Sequence, residues 1–134
     1  MPCARAGSRR PDAVRLYYAL DLKDDPALIA EYERWHRADT VWPEIVDSIR
    51  AAGVLDLDIF RAGNRLVLVM EVGESYSAEL KAASDAADPR VQEWEALMWQ
   101  FQQALPFAKP GEKWLPMRQI FSLRDALAQR SGNR

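Results

Sequence analysis

Apolar and polar residues alternate at the start of the chain: Val14, Leu16, Tyr18, Leu20 and Leu22 interleave with Arg15, Tyr17, Ala19 and Asp21. A period of two predicts a half-buried strand. Asp25-Pro26 then combines an N-cap with proline at the first helical position. Leu28, Ile29, Tyr32, Trp35 and His36 recur at helical spacing, which predicts a helix with one apolar face ending near Ala38. Asp39 and Thr40 read as caps of a second helix striped by Trp42, Ile45, Val46 and Ile49, with Gly53 as its stop.

The period then returns to two. Leu55, Leu57 and Ile59 share one face of a strand, and Asp56, Asp58 and Phe60 the other. The Ala62-Gly63-Asn64 turn joins it to a second strand, Arg65–Val72, whose centre is apolar on both sides, so the pair reads as a hairpin. Ser75 can cap a third helix over Tyr76–Ala87, and Asp88-Pro89 opens a fourth carrying Val91, Trp94, Leu97, Met98 and Phe101. A loop with Pro106, Pro110, Gly111 and Pro116 leads to a last strand, Met117–Leu123, and residues 125–134 form a polar tail, in part helical.

The order is strand, two helices, strand, repeated once. It predicts a ferredoxin-like α+β domain over residues 13–124, a βααβ-βααβ chain with a four-stranded antiparallel sheet and helices on one face. The other face, with Tyr17, Ala19 and the apolar third strand, is too apolar to stand in water. A second copy of the chain, sheet against sheet, is its simplest cover, so a homodimer is expected.

Composition narrows the chemistry. At 134 residues and 15.3 kDa, one domain is expected, with enough apolar residues (49%) for a core of its own. One Cys excludes an intrachain disulfide and suits a reducing, cytoplasmic location; one His and one Cys cannot make a zinc tetrad. The net charge of −2 has interleaved signs, which argues against a nucleic-acid partner. The exception is the Arg-rich start, and residues 1–12 read as a flexible tail. No run approaches the length of a membrane span, so no membrane partner is expected. Gly63 and Gly73 stand alone, so no phosphate-cradling loop is present. Asp24-Asp25 reads as a helix cap and Asp56-x-Asp58 as an outward strand pair, and no metal site is expected.

His36 is the only side chain with an ordinary pKa near neutrality, and Tyr32 lies one turn before it on the same face. On spacing alone, a single His on an apolar helix face is more often a packing residue than a catalyst. Trp94 beside Glu95 could stack on a sugar's C–H face and accept from its hydroxyls, although spacing alone favours a core Trp with a solvated Glu. Five Trp in one small domain are hard to bury completely, so some should line a groove.

These residues resemble the L-rhamnose mutarotase family of sugar epimerases. Glu31-Tyr32-Glu33-Arg34-Trp35-His36 followed by Val41-Trp42-Pro43-Glu44 is similar to the family's E-Y-x-x-x-H segment leading into I-W-P-E. Ile59–Leu66, the D-P-x-V-Q-x-W run ending at Trp94, and Ile120-Phe121-Ser122-Leu123 follow in the family's order. The resemblance spans about Leu16 to Leu123. It implies a dimeric α+β barrel that needs no cofactor, with His36 as acid/base and Tyr32 and Trp94 against a monosaccharide. Leu57 stands where rhamnose-acting members carry a pocket tyrosine, and Glu95 where they carry a second consecutive tryptophan. Both change the polarity of the implied substrate pocket, and a carboxylate at Glu95 would suit a sugar of different hydroxyl orientation, such as L-fucose. The expected activity is anomer exchange of a 6-deoxy-L-hexopyranose, L-rhamnose or L-fucose. A monooxygenase-like enzyme of the same barrel, and a non-catalytic sugar-binding module, are the rival readings. The Gly111–Trp114 loop is a candidate contributor to a pocket, of its own subunit or of a partner.

Overall fold

The computed structural model describes residues 13–132, and the expected N-terminal tail lies outside the described residues. Strand β1 (Val14–Leu22) leads through Asp25 into helix α1 (Pro26–Trp35), and α2 (Pro43–Ala51) follows. The hairpin is β2 (Val54–Ala62) with β3 (Arg65–Val72), followed by α3 (Ala78–Ala87) and α4 (Pro89–Trp99). Two short strands, β4 (Gln102–Gln103) and β5 (Leu115–Pro116), precede α5 (Leu123–Gly132). The result is a mixed α+β fold with an open antiparallel sheet in the order β2-β3-β1-β4, with β5 also paired to β1.

The cap reading holds for α1 and α4. Asp25 accepts hydrogen bonds from the backbone N–H groups of Ala27 and Leu28, and Asp88 from those of Arg90 and Val91. Each satisfies donors that a helix start otherwise leaves unpaired. Elsewhere the caps differ from expectation. The cap of α2 is Trp42, with no side-chain bond, and the Thr40 hydroxyl instead donates back to the Arg34 and Arg37 carbonyls after α1. Ser77, not Ser75, caps α3, which therefore starts at Ala78. Ser75 instead packs against Gly53, which ends α2 at φ +93° and where an added Cβ would lie 2.7 Å from the Ser75 hydroxyl. Glycine is needed there on both counts.

A bulge in β2 between Val54 and Asp56 corrects the expected face pattern. It turns Leu55 outward, 42% exposed, and gives its core position to Val54; Leu57 and Ile59 stay on the helix side. The expected strand Met117–Leu123 does not form. β1 is already bordered by β3, and its other edge takes β4 at Asp21–Leu22 and β5 at Tyr18–Ala19. After the Met117 backbone N–H donates to the Tyr17 carbonyl of β1 at 2.8 Å, residues 118–122 leave the sheet, with Ile120 93% and Phe121 68% exposed. The fourth-strand position is thus shared by two fragments, and the sheet has five strands where four were expected.

The core fills the space between sheet and helices. Leu22 and Leu66 from the sheet meet Tyr32 of α1, Ile45 of α2, and Val91, Trp94 and Met98 of α4. Burying each such side chain contributes roughly 1.5–3 kcal/mol. An ion pair of 2.5 Å from Arg61 on β2 to Glu33 fixes α1 over the hairpin. No helix among the described residues is long and apolar enough to cross a membrane.

Candidate functional site

Between the sheet and α1, α2 and α4 lies a cleft of about 670 Å³ whose walls include Tyr32, His36, Leu57, Trp94 and Glu95. All five residues singled out in the sequence therefore meet in one place. Its size suits a small organic ligand.

The helix geometry brings Tyr32 and His36 together. One turn apart, their rings stand 4.3 Å apart between centroids, and His36 Nδ1 lies 2.8 Å from the Tyr32 backbone carbonyl. A carbonyl only accepts, so Nδ1 carries the proton and donates it, which leaves Nε2 as the ring nitrogen that can take one up. Burial lowers the His36 pKa below its ordinary value, opposed in part by that backbone bond. The imidazole is consequently neutral at neutral pH, with a free lone pair on Nε2. It is a base.

Aromatic packing fixes this ring from the other side. Trp94 meets His36 edge to face at 5.5 Å and Trp42 at 5.2 Å, and the Arg90 guanidinium lies 3.7 Å over the outer face of Trp42. Proline at the start of α2 and the Asp88 cap of α4 set where those two tryptophans emerge. Tyr32 is almost fully buried, and the Gln102 amide donates to its hydroxyl oxygen at 3.3 Å. Burial, with a further contribution from the Glu95 charge, pushes the phenol up to about 12. It stays protonated and acts as a neutral hydrogen-bond donor. Glu95 lies at the cleft wall with Lys113 at 2.5 Å.

Four residues of the site escaped the sequence reading as functional candidates or were placed only loosely. Gln102, Tyr18, Tyr76 and Trp114 all line the cleft. Burial raises the Tyr18 and Tyr76 pKa values, so both phenols also remain donors. Tyr18 sat within the alternation of β1, which marks its inward face and so could have flagged it. Gln102 had no signal, because nothing predicted a strand there. Trp114 reaches the cleft of its own chain. No group of three or more His, Cys, Asp or Glu among the described residues is placed to hold a metal ion.

The sequence pattern defining the L-rhamnose mutarotase family matches residues 15–123. The chain belongs to this family. It is 58% identical over 119 residues to an L-fucose mutarotase from Xanthomonas campestris pv. campestris, covering 89% of this chain and 95% of that one. It is 30% identical to an L-rhamnose mutarotase from Acidiphilium cryptum over 78% of this chain and 95% of that one. The fold is similar to the crystal structure of an L-rhamnose mutarotase from Formosa agariphila, with a TM-score of 0.58 at 23% identity, covering 82% of this chain and 98% of that one.

Proposed function

We propose that this aldose mutarotase interconverts the α and β anomers of a 6-deoxy-L-hexopyranose, L-fucose ahead of L-rhamnose, with His36 as its acid/base group. The observation that carries the mechanism is the bond from His36 Nδ1 to the Tyr32 carbonyl, which fixes the tautomer on the cleft wall. In the α-to-β direction, Nε2 takes the proton of the anomeric hydroxyl as the C1–O5 bond breaks, and its electron pair goes to O5. The imidazolium returns that proton to O5, giving the open aldehyde. Rotation about C1–C2 and the reverse transfers close the ring on the other face. Nothing is oxidised, so the step needs no cofactor.

Tyr32, with its hydroxyl proton free, is read as a donor to a sugar oxygen, and Trp94 as the platform under the ring. Glu95 would accept from a ring hydroxyl, and Leu57 would supply an apolar wall. L-Fucose as the preferred sugar rests on the name and 58% identity of the Xanthomonas relative and on this carboxylate. The working unit is read as a homodimer of the dimeric α+β barrel type: the strand order β2-β3-β1-β4 agrees with a ferredoxin-like sheet, and its helix-free face carries Tyr17, Val67, Val69 and Phe60. The single Cys favours a cytoplasmic location.

Saturation-transfer NMR on the two anomeric protons tests the assignment directly. His36→Ala should lower the enzyme-catalysed exchange rate by about 10²–10⁴-fold, the usual contribution of a positioned acid/base group. Full exchange by that variant on both L-fucose and L-rhamnose would overturn it.

A further inference from the structure

The Lys113 ammonium sits 2.5 Å from Glu95 Oε2 and 4.7 Å from the centroid of the Trp99 ring. Its side chain is only 14% exposed, although it leaves a loop at the molecular surface, whereas Glu95 is 42% exposed. Burying an ammonium is costly unless its charge is met, so this placement holds only while Glu95 answers it. The loop is fixed on both flanks. Before it, Glu112 closes a turn by accepting from the Lys109 backbone N–H at 2.8 Å, with Gly111 at φ +84°. After it, Trp114 packs against both core clusters and Leu115 pairs with Ala19 of β1. Lys113 therefore reaches α4 from a rigid base and meets it at Glu95, which is one residue from Trp94 and on the cleft wall.

We propose that Lys113 is a positioning residue for sugar selectivity: its ammonium holds the Glu95 carboxylate by Oε2, leaving Oε1 to accept a hydroxyl of the bound sugar. This rests on the mutarotase reading. The ion pair replaces the many rotamers of a flexible Glu with one geometry, and only a sugar with a hydroxyl aimed at that oxygen gains from it. A sugar of the opposite hydroxyl orientation meets a fixed acceptor that it cannot satisfy, and is penalised. Burial is the main cause of the raised Tyr32 phenol, and the Glu95 charge adds a smaller push in the same direction.

Anomer exchange of L-fucose and L-rhamnose by wild type, K113M, K113R, E95Q and K113M/E95Q tests this, with KM and kcat separated for each. K113M should raise KM for the preferred sugar about tenfold, the loss of one charge-assisted hydrogen bond. Its kcat should stay within about twofold, because His36 is untouched. K113R should restore most of the affinity, and the double variant should be no worse than E95Q, since Lys113 acts only through Glu95. Additive losses in the double variant, or a fall in kcat at unchanged KM, would overturn the proposal. If K113M does not fold, K113R and E95Q carry the test: K113R must keep and E95Q must lose the preference between the two sugars. A wild type that exchanges neither sugar overturns the mutarotase reading; an active wild type whose KM ignores Lys113 overturns only this proposal.

Discussion

At the scale of single residues, the cleft wall holds one imidazole that burial keeps neutral. Burial disfavours the charged form of His36, so its folded pKa lies below its ordinary 6.5. The proposed mechanism requires Nε2 unprotonated, and on it kcat/KM should rise with pH along a limb centred below 6.5 and be flat through neutrality. Stability follows the same linkage. Between the lowered folded pKa and the unfolded value the unfolded chain binds more protons, so this contribution is complete above about 6.5 and lost as pH falls through the folded pKa. Thermal melts of wild type and His36→Gln across pH 5–7.5 check it, and the variant should lack that part of the slope. Tyr32→Phe makes a separate prediction. It keeps the ring packed on His36 but leaves the Gln102 amide without its partner, so it should cost roughly 1–3 kcal/mol of stability. It should also lower kcat/KM. Unaltered melting and exchange would remove the hydroxyl from the site. The His36–Tyr32 pair was legible because helical spacing alone stacks residues four apart. The tautomer was not, because it depends on where a backbone carbonyl ends.

At the scale of elements, the helix starts decide where the aromatic side chains meet. Asp88→Ala should remove about 1 kcal/mol of capping from α4, lowering Tm by roughly 4 °C, and Asp88→Asn should restore it because Asn caps equally well. Calorimetry reads this directly, and equal melting of all three proteins would show the cap to be idle. Strong local signals made most elements readable: the alternation of β1, the hairpin turn, and two Asp-Pro starts. The last strand failed for a physical reason. The apolar residues of Met117–Leu123 after a proline-rich loop suit a strand, but pairing depends on which edge is vacant, and the Tyr18–Ala19 edge was taken by the two residues of β5. Likewise the bulge in β2 is a property of the pairing with β3, invisible in either strand alone.

At the scale of the whole molecule, the sheet has one face covered by helices and one face open. The β1, β3 and β2 registers place Tyr17 beside Val69, Ala19 beside Val67, and Val67 beside Phe60, so these side chains form one patch across three strands, with Asp58 opposite Val69 on the same face. Tyr17 is 42% and Phe60 59% exposed, and a bidentate Asp21–Arg65 pair borders the patch. In the proposed homodimer, a second copy laid face to face across a twofold axis would bring the same residues of this patch together. A stable contact needs about 800 Å² per partner. Sedimentation at micromolar concentration should therefore give a species of about 31 kDa, twice the 15.3 kDa chain. Phe60→Lys places a desolvated charge against its own symmetry mate at the patch and should shift the protein to monomer. The cleft lies between the sheet and the helices, away from this face, so that monomer should keep the His36–Tyr32 pair. A wild type that sediments as a single chain would leave the apolar face without its partner copy and overturn the dimeric barrel.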